Sequence, residues 1–286
     1  KYPMDEYRLI RDYQNGEIIF DRRYGSTNTF EKNNYPVGYN LGQSGNTPSQ
    51  NLVDAYEMID GTPFDWNNPE HKSNPYANRD PRLAMSILTN NVEFKDRTIE
   101  AWTGGRDGKG VIHATRTGYY IYKFIDPNLD LLQNRTSVHH WVIMRYAEIL
   151  LSYAEAMNEA YGPTGNVGYR LNAVRALNQV RNRVGVEMPA VPTAISKEEL
   201  REKIRNERRV ELAFEDHRFW DVRRWMIAPE TLGTPLRGVE ITKISDEEFE
   251  YKPIEVEKRT FEPKMYLYPI PQADLNTTGW VQNPLW

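Results

Sequence analysis

Cysteine is absent from this 286-residue chain, which removes disulfides, thiolate metal sites and cysteine nucleophiles at once. Also missing is any apolar run near the roughly 20 residues that cross a bilayer. The opening Lys1-Tyr2-Pro3 has neither an initiator Met nor a signal-peptide core, so the chain reads as part of something longer. Net charge is small: 36 Lys and Arg face 40 Asp and Glu, a formal -4. No long-range field therefore favours a nucleic acid or an anionic membrane as partner. The five His include no HExxH or Glu-x-x-His pairing, and Ser44 in Gly42-Gln43-Ser44-Gly45 lacks the spacing of a nucleophile elbow. Transition-metal and serine chemistry have no motif to rest on. What remains is a chain long enough to bury a real core.

The strongest periodicity lies in residues 141–226. Tyr146, Ile149, Leu150, Tyr153, Ala154 and Met157 recur at three- and four-residue steps and predict an amphipathic helix that Gly162-Pro163 stops. A second helix is expected from about Tyr169, with Val174, Leu177, Val180 and Val184 in one stripe and Gly185 closing it. The third opens on a capping box, Ser196 with Glu199, flanked by Ile195 and Leu200 as a hydrophobic staple. It ends in the aromatic and basic run His217 to Trp225.

Elsewhere the signals are shorter. Glu17-Ile18-Ile19-Phe20 reads as a buried strand, Thr47-Pro48-Ser49-Gln50 as the start of a helix through Met58, and Asp80-Pro81 as a helical turn. Tyr120, Tyr122 and Phe124 alternate as one face of a strand that Asp126-Pro127 closes. Residues 226–260 read as a Pro-, Gly- and charge-rich connection, Tyr266 to Pro271 as an extended piece, and Gln282 to Trp286 as a tail apolar enough to dock. The fold class is mainly α: a loop-rich segment 17–140, a helical core 141–226, and a loop with a docking tail 227–286.

Candidate chemistry is sparse. The run Gly104, Gly105, Gly108, Lys109 and Gly110 invites a phosphate loop, but Thr103 stands where Gly is needed and Gly110 where Ser or Thr is needed. Asp126, Asn128 and Asp130 imitate a calcium loop whose sixth and twelfth positions, Leu131 and Ser137, fail the pattern; only a looser calcium site is left to those carboxylates. Glu207 and Glu211 sit four residues apart on the packed face of the third helix. They suit either the acid and base of a glycosidase or structural partners of arginine. Residues 196–226 hold nine Lys or Arg against eight Asp or Glu, a balance that favours the ion-pair reading.

Aromatic residues are more informative. The 18 Tyr outnumber the 9 Phe, with 7 Trp beside them, so many rings carry a polar handle suited to half-wet surfaces. Tyr24, Tyr35, Tyr39, Trp66 and Trp102 fall in expected loops, where a large ring has fewer chances of being core. Such rings can stack on the C–H face of a pyranose while Asn40, Asp65 and Arg106 take its hydroxyls. The candidate ligand-binding set is Trp66, Trp102, Tyr39, Tyr35, Asp65 and Arg106.

Three stretches resemble one family. Arg145-Tyr-Ala-Glu-Ile-Leu-Leu-Ser-Tyr-Ala-Glu-Ala156, Ala176-Leu-Asn-Gln-Val-Arg-Asn-Arg183 and Ile204 to Trp225 are similar to the C-terminal signature of SusD/RagB proteins. Gln50 to Met58, Asn78-Arg-Asp-Pro-Arg82, Gly118 to Asp126, Tyr268-Pro-Ile-Pro271 and Gln282-Asn-Pro284 extend the resemblance from Glu17 onward. It implies tetratricopeptide-like helix pairs carrying long loops and a few short strands. It also implies a lipid-anchored glycan-binding protein on the outer-membrane surface of Gram-negative bacteria. Such a protein passes oligosaccharide to a SusC-like TonB-dependent transporter, with no catalysis and no cofactor. The lipidated cysteine would belong to an N-terminal part outside these residues. The family motifs contain none of the candidate binding residues, which rest on the residue reading alone.

Overall fold

The computed structural model describes residues 16–286. In chain order, β1 (Ile18–Arg23) leads to the short helices α1 (Thr29–Asn34), α2 (Gln50–Val53), α3 (Pro69–Ser73) and α4 (Arg82–Ser86). Two-residue strands follow: β2 (Ile87–Leu88), β3 (Glu93–Phe94), β4 (Arg97–Thr98) and β5 (Tyr120–Ile121). Next, β6 (His140–Arg145) enters the longer helices α5 (Tyr146–Tyr161), α6 (Ala173–Arg181) and α7 (Lys197–Glu211). The chain closes with α8 (His217–Arg224), α9 (Ala228–Thr231), β7 (Leu236–Lys243), β8 (Phe249–Glu257), a 3-10 turn at Pro263–Tyr266 and α10 (Gln272–Thr278). Each sheet among the described residues is a two-stranded antiparallel ribbon, pairing β1 with β6, β2 with β5, β3 with β4 and β7 with β8.

Helices α5, α6 and α7 form one core. Leu150, Leu151, Ala154 and Met157 of α5 meet Val174, Leu177 and Val180 of α6 and Leu200 and Ile204 of α7. The start of α7 follows its sequence signal: Ser196 Oγ accepts from the Glu199 amide, Glu199 accepts from the Ser196 amide, and Ile195 packs on the cluster that contains Leu200. Gly162 ends α5 at φ +75°, a conformation open to a residue without Cβ.

Other expected boundaries moved. Helix α6 starts at Ala173 because the Asn172 side chain accepts from the Arg175 amide, and Val184 lies beyond its end, 56% exposed. The third helix does not run through to Trp225. It stops at Glu211, and Phe214 and Asp216 take φ +65° and +63° before α8 begins. This break turns the Ala213 carbonyl and the Glu215 carboxylate toward the buried Lys123 ammonium, at 3.0 and 2.6 Å. The strand at Ile18 exists but is not buried: Ile19 and Phe20 are 53% and 59% exposed, since a lone ribbon covers few of its side chains. The helix expected from Thr47 to Met58 is a single turn capped by Ser49. The strand expected through Phe124 ends at Ile121, and Phe124 has φ +69°.

A second core gathers the loop-rich segment around Tyr35, Tyr56, Ile87, Leu88, Phe94, Ile99, Tyr119 and Tyr120. The hairpin β7–β8, which the sequence reading took for connection, closes it with Val239, Ile241 and Tyr251. Its approach depends on Gly118, where φ is +86° and a Cβ would stand 2.7 Å from Val239 Cγ1. In the tail, Gln282 exchanges hydrogen bonds with both backbone groups of Ile270 and Trp286 Nε1 donates to the Leu267 carbonyl, while Leu285 stays 76% exposed.

A buried ion network joins the two cores. Arg82 forks onto Asp80 and places Nη1 at 2.6 Å from Glu207 Oε1 and 2.9 Å from Glu211 Oε2. Arg145 holds Glu17, Glu211 and Glu215; Arg181 bridges Glu207 to Glu57; Arg183 takes Glu211 and Glu17; Lys123 takes Glu215 and Lys203 takes Glu57. Cations and carboxylates are equal in number in this set. Removing one member of such a network leaves charge buried and uncompensated, costing roughly 3–5 kcal/mol. Arg82→Ala is therefore expected to lower stability by about that much, against about 1 kcal/mol for loss of the cap in Ser196→Ala. Urea unfolding of both variants checks the order, which would be wrong if Ser196→Ala proved the more damaging.

Candidate functional site

The paired carboxylates fall inside the ion network. Glu207 and Glu211 are 1% and 0% exposed. Burial alone would push the Glu211 carboxyl up, but Arg183, Arg145 and Arg82 outweigh it and hold the group well below its ordinary range. Glu215 is lowered in the same way, burial being overcome by Arg145 and Lys123. A glycosidase acid needs a raised pKa and access to the scissile bond. Neither Glu207 nor Glu211 reaches solvent, so the glycosidase reading of this pair is overturned in favour of structural ions.

Two of the candidate rings are core. Tyr35 is 1% exposed and donates its hydroxyl to the Asp126 carbonyl; Tyr39 is 7% exposed and donates to the Phe94 carbonyl at 2.8 Å. Both meet Phe94 edge-on. Their expected ligand contact is corrected: the loops carrying them fold back onto the scaffold, and buried hydroxyls seek backbone acceptors. The glycine run is structural as well, because a Cβ at Gly108 would stand 1.8 Å from the Trp102 carbonyl oxygen. Asp107 at its centre is buried and clamped by both Nη atoms of Arg97. In the calcium-like loop, Asp126 accepts from the Asn128 amide and Ser137 Oγ, while Asp130 accepts from the Leu132 and Gln133 amides. Among the described residues no group of three or more His, Asp or Glu is placed to hold a metal ion.

The remaining candidates lie at two places beside one groove. Trp66 is half-buried, donates Nε1 to Asp54 at 3.0 Å and meets Phe64 edge-on; the Arg79 guanidinium sits 4.1 Å from the Phe64 ring centre. Asp65 is exposed and accepts from the Asn67 amide. Trp102 lies over Phe249 with ring centres 5.4 Å apart, and Lys243 Nζ stands 4.9 Å from its centre. Arg106 is exposed and pairs with Glu100.

Between these places runs an open groove of about 1010 Å³, walled by residues 69–92 on one side and the β7–β8 tip on the other. Tyr76, Phe249 and Tyr251 supply its rings, with Tyr76 edge-on to Tyr251 at 5.3 Å. The exposed amides of Asn74 and Asn91 stand at its rim with Glu247, Glu248 and Glu250. Arg79 fixes the wall by donating to the Pro75, Val53 and Tyr56 carbonyls, and Asp80 behind it accepts from the Arg82 amide at the start of α4. Trp66 and Trp102 do not line the groove. They reach it through Phe64 with Arg79 and through Phe249. The sequence reading missed Phe249 and Tyr251 because it assigned their strand to a connection.

A sequence model of the SusD family matches residues 16–286. The chain belongs to the SusD family. A SusD-like protein from Bacteroides fragilis has a solved structure similar to this one at TM-score 0.80 and 31% identity, over 99% of this chain and 58% of that one. A SusD-like carbohydrate-binding protein from the same species matches at TM-score 0.75 and 30% identity, over 92% of this chain and 53% of that one. SusD-like protein P2 of Formosa agariphila is 34% identical over 120 residues, 40% of this chain and 22% of that protein. This SusD-family chain thus spans little more than half the length of these solved relatives. Among its described residues no helix is long and apolar enough to cross a membrane.

The depressed carboxyls set an acid limit. Glu211 and Glu215 titrate below their ordinary value of 4.5 in the folded chain. Their stabilisation is complete above that value and is lost as pH falls through the folded values. Urea midpoints measured between pH 7 and pH 3 are expected to fall steeply below about 4.5. A midpoint that stayed flat there would contradict the assigned network.

Proposed function

We propose that this SusD-family chain binds oligosaccharide or polysaccharide without cleaving it, at the groove between residues 69–92 and the β7–β8 tip. The groove itself carries the reading. Half-buried Phe249 and Tyr76 offer apolar ring surface over the buried Tyr251, its amide and carboxylate rim offers hydrogen-bond partners for hydroxyls, and its openness suits a polymer that enters from the side. The related Bacteroides fragilis carbohydrate-binding protein supports the same ligand class. In this reading Trp102 backs Phe249, Trp66 steadies the Phe64 and Arg79 wall, and Asp65 and Arg106 lie at the margins.

Family membership supports the finer parts of the reading. The packing of α5 with α6 and α7 is read as tetratricopeptide-like helix pairing. The whole protein is read as a lipid-anchored, cell-surface component that hands glycan to a SusC-like TonB-dependent transporter at the outer membrane. Ring stacking worth roughly 0.5–1.5 kcal/mol per aromatic, set against several kcal/mol of association entropy, gives affinities in the micromolar to millimolar range. Weak capture suits hand-over.

Native affinity electrophoresis through gels containing plant, host and microbial polysaccharides tests the site. At least one neutral glycan is expected to retard the chain, and Phe249→Ala and Asn91→Ala to weaken that retardation roughly two- to tenfold. Retardation left unchanged in both variants would remove the groove from the account.

A further inference from the structure

The charges along the groove are unevenly disposed. Among its described lining residues the cations are Lys72 and Arg79, and the carboxylates are Asp80, Glu247, Glu248 and Glu250. Arg79 is buried and already committed: Nη1 and Nη2 donate to main-chain carbonyls, Nε is closed to solvent, and the Phe64 ring centre lies 4.1 Å from the guanidinium carbon. No fork is left for the oxyanion of a ligand. Asp80 is buried against Arg82. Lys72, exposed on α3, is the lining cation that an occupant can reach.

The carboxylates of the hairpin turn are the opposite case. Glu247, Glu248 and Glu250 are exposed, and their side chains make no ion pair among the described residues. Glu250 alternates along β8 with Phe249 and Tyr251 and so points away from them, which leaves Glu247 and Glu248 as the carboxylates beside the rings. Their turn is pinned: the Ile244 and Ser245 amides both donate to the Glu248 carbonyl, and the Glu248 amide donates to Ser245 Oγ. On the same hairpin the Lys243 ammonium is taken by Asp246 at 2.7 Å. The other exposed polar groups on the lining, Ser73, Asn74 and Asn91, are uncharged.

A carboxylate or sulfate brought into such a groove sheds water, finds no guanidinium to replace it, and meets like charge. A hydroxyl suffers neither penalty, since a carboxylate or an amide can accept from it. Like charge placed at the rim of a site is a device for rejecting the wrong partner. We propose that Glu247 and Glu248 make the groove a charge filter, which admits uncharged polysaccharide and turns away polymers bearing carboxylate or sulfate. Lys72 offsets only one of the two carboxylates, so the rim keeps a net negative charge. The inference rests on the glycan-binding reading and names its substrate class as uncharged.

The test uses the full chain in gels containing xylan, xyloglucan, starch or galactan, each as a carboxymethylated form and as a hydroxyethylated form of similar bulk and no charge. The carboxymethylated polymer is expected to bind roughly three- to tenfold more weakly than its hydroxyethylated counterpart, and the gap to narrow as salt screens the repulsion. Glu247→Gln with Glu248→Gln is expected to narrow the gap, and Glu247→Lys with Glu248→Lys to reverse it. Glu198→Gln with Asp274→Asn removes the same charge from exposed positions outside the groove lining and is expected to leave the gap as it was. The gap is a ratio read within one protein, so partial loss of folded chain does not move it. Equal binding of the two forms, or preference for the charged one, would overturn the filter while leaving the groove intact. So would a gap narrowed equally by both neutralising pairs, since the charge of the whole chain would then be its cause. Failure of every polymer to bind the unaltered chain would overturn both readings together.

Discussion

The contact of Arg82 with Glu207 and Glu211 is the constraint on which the rest of the chain depends. It spans the loop-rich segment and α7, beside the Lys203–Glu57 pair and the Asn206 bond to the Ala55 carbonyl, and it is closed to water. Once Arg82 is buried, its other face must be satisfied by Asp80, and the carboxylates it meets must find Arg145, Arg181 and Arg183. Burying so many charges is costly, and apolar packing would stabilise the fold as well or better. What the network adds is register, because each guanidinium fork accepts carboxylates in few geometries. The break after α7 belongs to the same logic: the turn at Phe214 and Asp216 brings carbonyl oxygens and Glu215 to Arg145 and Lys123.

This constraint places the groove. Asp80 and Arg82 anchor the start of α4, so the Arg79 side chain projects under residues 53–56 and holds the Pro75 carbonyl. Tyr76 is thereby fixed opposite Tyr251, and Gly118 lets the hairpin that bears Tyr251 and Phe249 lie close against the second core. The groove rings are partly buried in that core, so they are held stiffly at little further entropy loss on binding. Its polar rim stays exposed, as a weak and reversible polymer site requires.

The parts legible in the sequence were local. Ser196 with Glu199 announced α7, and the stripe of Leu150, Ala154 and Met157 announced α5, because caps and periodicity act within a few residues. The charge balance around Glu207 and Glu211 pointed to ion pairs, but no spacing rule could name Arg82 or Arg145 as partners. The stretches from Arg145 and Ile204 placed the chain in its family. Tyr35 and Tyr39 misled because loop residues are buried by partners remote in sequence, here Phe94 and the carbonyl of Asp126. The hairpin was hidden by Pro253 and by charged residues on its open face, which diluted the alternation of Val239 with Ile241 and of Phe249 with Tyr251. With that hairpin unread, half of the candidate site was out of sight.

The most direct test of the account is amide hydrogen exchange of the chain with and without a polysaccharide that retards it in gels. The account predicts slowed exchange in residues 72–77, 89–92 and 244–251, the segments that wall the groove, with α5 and α6 unchanged. Protection confined to other segments, with the groove exchanging as in the free chain, would contradict it.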